Sequence, residues 1–202
     1  AVRVAAQYDE QNLYMAFRFV DRTPMINNIN PISDPGAGWR SDGTEIRMLL
    51  DDRTIHLQPW YFTEEERPTL YLRYSPAEDI RLRRDEWVII PEALDKGAQL
   101  AFREHEDGKG YTQEMSLPWS LLTVDGRALE AGDTMGLGLQ VNWGDESGGL
   151  LTGGPVRRYQ DIVNPENPKR RFFWEAVNAW GTLRLLDRGN VEPSPTVRQA
   201  SL

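Results

Sequence analysis

The stretch Trp39-Arg40-Ser41-Asp42-Gly43-Thr44-Glu45-Ile46-Arg47-Met48-Leu49-Leu50-Asp51 leaves a Gly/Pro-rich loop, Asp34-Pro35-Gly36-Ala37-Gly38, and runs into alternating residues. Ile46, Met48 and Leu50 fall on one side of an extended chain, Glu45, Arg47 and Asp51 on the other, which is the period of a half-buried strand. A tryptophan on a loop rim therefore stands beside a polar sheet face that begins with a carboxylate. An aromatic plate covers the apolar C–H face of a pyranose and a charged acceptor takes its hydroxyl protons, so sugar recognition needs this pairing. The competing reading is a core tryptophan beside a solvated strand.

Working outward, the alternation recurs. Val2–Tyr8 and Leu13–Asp21 read as a hairpin across Asp9-Glu10-Gln11-Asn12. Arg22–Gly38, rich in Pro, Asn and Gly, has no period and reads as a long loop. After the Asp51-Asp52-Arg53 turn, Thr54–Phe62 places Ile55, Leu57 and Tyr61 on one face and His56, Gln58 and Trp60 on the other. Pro59 cannot donate to a ladder, so this strand is expected at an edge or with a bulge. Thr69–Tyr74 and Glu86–Pro91 are short strands, Gln99–Glu104 and Gly110–Leu117 a second hairpin, and Pro118-Trp119-Ser120-Leu121-Leu122 a helical turn. Met135–Trp143 alternates cleanly, with Gly136, Gly138, Gln140 and Asn142 facing outward. Gly144–Phe173 reads as a second long loop, and Ala179–Leu186 closes the domain. Many short strands, two long loops and almost no helix predict an all-β fold, an antiparallel β-sandwich of jelly-roll type. The domain is expected over residues 1–187, with 188–202 a poorly ordered C-terminal tail or linker.

With 202 residues the chain can bury one large core. A formal charge of −8 argues against a nucleic-acid partner. The absence of Cys excludes disulfides and thiolate sites, and no apolar run is long enough to span a membrane. The numbering begins inside a strand-like pattern, which points to a segment processed or cut from a longer chain.

One sheet face gathers Glu45, Arg47, His56, Gln58, Gln140 and Asn142. Gly136 and Gly138 remove side chains from it, leaving room for something to approach the backbone. Trp39 and Trp174 can reach its rim from the two long loops. These two and Trp60 are expected to be exposed, whereas Trp87, Trp119, Trp143 and Trp180 are expected in the core.

The ordered set Asn12-Leu13-Tyr14 ending at Asp21, Trp39-x-x-Asp42-x-x-Glu45-Ile46 ending at Asp51, Gly110-Tyr111-Thr112-Gln113-Glu114-Met115-Ser116-Leu117-Pro118-Trp119, Gly138-Leu139-Gln140-Val141-Asn142, Trp174, and Trp180-Gly181-Thr182-Leu183-Arg184-Leu185 resembles the family 9 carbohydrate-binding modules, a branch of the DOMON-like β-sandwiches. The resemblance implies a non-catalytic module that holds an oligo- or polysaccharide between Trp39 and Trp174, with Glu45 and Gln140 on ring hydroxyls. Gln58, Trp60 and Arg171 fall at further positions of the implied site, and Arg47 and Asn142 join it from the polar face. Gln58 stands where the family has a basic residue, Trp60 where it has an amide and Arg171 where it has Asn, so the family's own ligand, a reducing glucan or xylan end, need not carry over. The family's opening strand, which starts Gly-x-x-Asp-x-x-Trp, has no counterpart. Structural calcium is implied too, with Asp9, Asp21, Asp42 and Asp51 as possible oxygen ligands. Such modules belong to larger secreted proteins, so linked domains and an extracellular or periplasmic location are expected.

A hydrolase would need a second carboxylate opposite Glu45, and none is evident on its face. A different class, a haem b-binding DOMON-like redox domain (cytochrome domain or dehydrogenase γ-subunit-like), would need Met with His or Lys as axial ligands. Met48, Met115 and Met135 fall on apolar faces and His56 on the polar one. A third reading is a bare scaffold within a larger polypeptide.

Overall fold

The structure, a computed structural model, describes residues 1–77, 88–90, 93–148, 159–162, 177 and 180–187. Its strands are β1 (Val2–Tyr8), β2 (Asn12–Phe19), β3 (Gly43–Leu50), β4 (Arg53–Phe62), β5 (Arg67–Pro76), β6 (Val88–Ile89), β7 (Gln99–Glu104), β8 (Tyr111–Pro118), β9 (Thr134–Asn142), β10 (Tyr159–Ile162) and β11 (Gly181–Arg184). One short helix, α1 (Trp119–Leu122), follows Pro118. The strands form two antiparallel sheets. A four-stranded sheet runs β1-β2-β8-β7; a seven-stranded sheet runs β10-β9-β3-β4-β5-β6, with β11 also paired to β9. The expected all-β sandwich is the observed architecture.

Alternation builds the core. Leu13, Met15, Phe17 and Phe19 of β2 face Ile46 and Met48 of β3, Ile55 and Leu57 of β4 and Met135 and Val141 of β9 in one buried cluster. Removing that apolar surface from water is the main driving force for closing the sandwich. The β3–β4 turn holds Asp51 and Asp52 at φ 51° and 56°, the left-handed pair that matches a two-residue hairpin to strand twist. At Gly110, φ is 147° and a Cβ would stand 2.0 Å from the Phe19 carbonyl oxygen, so no side chain fits where the β7–β8 hairpin meets the end of β2.

Two expectations need correction. β4 is not an edge strand; it lies between β3 and β5. Pro59 is tolerated because the β3–β4 pairing stops at Ile46↔Leu57, so beyond it β4 pairs only with β5. The stretch from Gly144 to Phe173 also contains a strand, β10, which pairs with the end of β9. Four residues flanked by Gly and Pro are too few to show a period. The expected order of the tail, Trp87, Arg171 and Trp174 all lie outside the described residues.

Candidate functional site

The outer face of the seven-stranded sheet is polar and buried. Pairing aligns Glu45 with Gln140, Arg47 with Gly138 and with His56, His56 with Arg73, and Gln58 with Tyr71. Neighbouring strands bring these side chains within reach of one another, because alternate residues of each strand share a face. Glu45 is the hub. Its Oε1 accepts from Arg47 Nη2 at 3.1 Å, from His56 Nε2 at 3.1 Å and from Gln58 Nε2 at 3.0 Å. Glu45 is 7% exposed and His56 4%. Burial holds the His56 imidazole well below its ordinary pKa, and the charges of Arg47 and then Arg73 push it the same way. Burial also pulls Arg47 down to about 9, against the attraction of Glu45, so its guanidinium stays charged at neutral pH.

Several polar atoms on this face are buried with no hydrogen-bond partner: His56 Nδ1, Gln58 Oε1, Thr69 Oγ1 and both amide atoms of Asn142. Buried polar groups in folded proteins are nearly always satisfied, so each of these calls for a partner from outside the chain, an ordered water or a ligand group.

The loop before β3 closes one end of this face. Asn27, fully buried, donates to the carbonyls of Gly38 and Asp42, both at 2.9 Å, and pins the loop to the start of β3. Trp60 lies beneath the loop. Its indole donates to the Ile29 carbonyl at 3.1 Å, and a Cβ on Gly38 would come 2.5 Å from its ring. The exposed ligand plate expected at Trp60 is therefore a correction: it is 1% exposed and packs with Phe62 and Tyr71. Trp39 sits in a 3-10 turn at Gly38–Arg40, half-buried, with the Arg40 guanidinium 5.4 Å from its ring centroid.

The space foreseen at Gly136 and Gly138 is filled by the protein itself. A Cβ on Gly136 would stand 2.8 Å from Leu49 Cβ, and one on Gly138 3.0 Å from Trp180 Cδ1. Trp180 is buried, as expected, but over the outer polar face rather than between the sheets.

The four aspartates considered for a metal do not converge. Asp9 is exposed and engaged by its own turn, accepting from Gln11 and Asn12 amides and the Tyr14 hydroxyl. Asp51 accepts from Val124 N. Asp21 and Asp42 do come together. Asp42 accepts from Gly144 N at 2.7 Å and Ile26 N at 3.0 Å, whereas Asp21 Oδ2 is buried with no donor from the rest of the protein. Burial, and next the Asp21 charge, raise Asp42 to about 8. Two carboxyls so placed need a proton or a cation between them.

Met48, Met115 and Met135 all lie in the core, across the sheet from His56, so among the described residues no Met–His pair faces one cavity. A shallow trough of about 640 Å³ crosses the outside of the four-stranded sheet over Ala5, Ala16, Ala101 and Glu114, but it has no buried unmet polar atom. Sequence reasoning missed Asn27, Tyr71 and Arg73, and considered His56 on this face only as a metal ligand of the haem alternative. The alternation of β5 alone could have put Tyr71 and Arg73 beside Gln58 and His56.

Solved structures show the same fold. A family 9 carbohydrate binding module from Caldicellulosiruptor kristjanssonii in complex with glucose matches with a TM-score of 0.54 and 17% identity, over 96% of this chain and 80% of that one. The same module in complex with cellotriose gives 0.52 and 16%, over 96% and 79%. A candidate carbohydrate-binding protein from Bacteroides uniformis gives 0.55 and 11%, over 91% and 78%. No curated protein matches the chain. The family model described as carbohydrate family 9 binding domain-like matches residues 2–188. The chain belongs to that family.

Proposed function

We propose that this domain binds a sugar on the outer face of the seven-stranded sheet, over the Glu45 hub, without catalysing a reaction. The observation that carries the reading is the cluster of buried, unmet polar atoms around Glu45 in a family whose members bind carbohydrate. Trp39, on the loop pinned by Asn27, supplies one aromatic wall and Trp174 the other; Arg171, Gln140 and Asn142 add polar contacts. Two indole faces would bury about 100–200 Å² of apolar sugar surface, roughly 2.5–5 kcal/mol before association costs. The domain serves as a targeting module of a larger exported protein that acts on polysaccharide, outside the cytoplasm and tethered to other domains. In calorimetric titrations with glucose and cellotriose, Trp39→Ala and Trp174→Ala each weaken binding tenfold or more while melting stays near wild type. Undiminished binding by both variants would remove the two-tryptophan clamp.

We also propose that Asp21 and Asp42 hold a structural calcium ion. The donorless Asp21 Oδ2 beside a second buried carboxylate suits a hard cation. The ion would supply charge compensation where the first long loop leaves β2 and rejoins the sheet. Calcium is expected to raise the melting temperature by several degrees, EDTA to reverse the rise, and Asp42→Asn to abolish the response. A wild-type melt indifferent to both additions would refute the site.

A further inference from the structure

We infer that the Glu45 site requires hydrogen-bond donors from its ligand at one place, free sugar hydroxyls facing His56 Nδ1 and Gln58 Oε1, and discriminates there against groups that offer only lone pairs, such as ethers or fluorine. The inference deepens the carbohydrate reading and rests on it.

The polarity follows from what Glu45 fixes. A carboxylate oxygen only accepts, so each of the three groups on Oε1 must present hydrogen to it. Gln58 therefore turns its NH₂ toward Glu45, and its carbonyl oxygen is aimed away. His56 carries its hydrogen on Nε2. Since burial and the neighbouring Arg47 and Arg73 keep the ring neutral, Nδ1 is a bare lone pair. Residues two apart on one strand share a face about 7 Å apart, so both acceptors look onto the same side of β4. Neither Nδ1 nor Oε1 has a donor, and both residues are more than nine-tenths buried. Asn142 adds one donor and one acceptor, also unmet. Arg47 and Arg73 flank His56 on the same face and each brings a buried Nε–H, so the donor requirement belongs to the His56–Gln58 pair and not to the face as a whole. A ligand that fills the pair must give two hydrogens. A buried lone pair facing another lone pair is expected to discriminate about tenfold, which is about 1.4 kcal/mol.

The test uses the intact domain with glucose and its monodeoxy and monodeoxyfluoro analogues. Fluorine keeps a weak acceptor and removes the donor. At two ring positions the deoxy and fluoro sugars are expected to lose affinity alike, tenfold or more. If fluorine restores binding at every sensitive position, the hydroxyls are acting as acceptors and the inference fails while sugar binding stands. The same holds if no position is sensitive. If glucose, cellotriose and all analogues fail to bind, the carbohydrate reading itself falls, and this inference with it. Imidazole nitrogen shifts of the ligand-free protein give an independent readout: His56 is expected with hydrogen on Nε2 and a bare Nδ1. Hydrogen on Nδ1 would overturn the assignment without reference to any sugar.

Discussion

Glu45→Ala is expected to lower stability by about 3–5 kcal/mol and to abolish sugar binding. The carboxylate is buried and receives three donors on one oxygen. Removing it leaves the Arg47 guanidinium charged in a site where its side chain is 4% exposed, and breaking one partner of a buried pair costs in that range. It also frees the Gln58 amide and the His56 ring to turn, so the acceptors a ligand would meet are no longer held in place. Chemical denaturation checks the first effect and calorimetry the second. A loss below about 1 kcal/mol would show that water reaches these groups and that the hub is a surface cluster. Glu45→Gln separates the two effects, because it keeps the shape and one acceptor while losing the charge.

Trp60→Ala is expected to cost about 3–5 kcal/mol, the range for deleting a large buried aromatic side chain. The ring carries the loop through the Ile29 carbonyl and through close packing under Gly38. Losing it would leave a cavity beneath residues 22–42 and release the segment that bears Trp39. The contrast with Trp39→Ala is diagnostic, since Trp39 is only half-buried and its removal should leave melting nearly unchanged. If Trp60→Ala melts like wild type and loses only affinity, the ring is a ligand plate after all.

These two tryptophans also show where a one-dimensional reading stops. The alternation of Ile46, Met48 and Leu50 against Glu45 and Arg47 told which residues face which side, and β3 obeys it. It also put Trp60 correctly on the face of His56 and Gln58. It could not say that a loop folds back over one end of that face, because the closure is made by Asn27, a single residue in a stretch without period. Likewise Gly138 marked a close approach to the sheet, but the approaching group is Trp180, forty-two residues onward, brought there by the pairing of β11 with β9. Asp21 and Asp42 met for the same reason: the loop returns to the sheet beside the end of β2. Strand identity is local and was legible; what covers a face is decided by long-range closure and was not. Pro59 is the intermediate case. Its missing N–H was read correctly, but the relevant fact was where the β3 ladder ends.

The most direct test of the account is the cellotriose titration read residue by residue, following side-chain amide and backbone signals by nuclear magnetic resonance. The account predicts that Gln58, Gln140 and Asn142 side-chain amides and the Trp39 indole shift in a saturable, parallel way, while Ala5, Ala16 and Ala101 on the opposite sheet do not move. Shifts confined to the trough over those alanines, with the Glu45 neighbourhood silent at saturation, would contradict it.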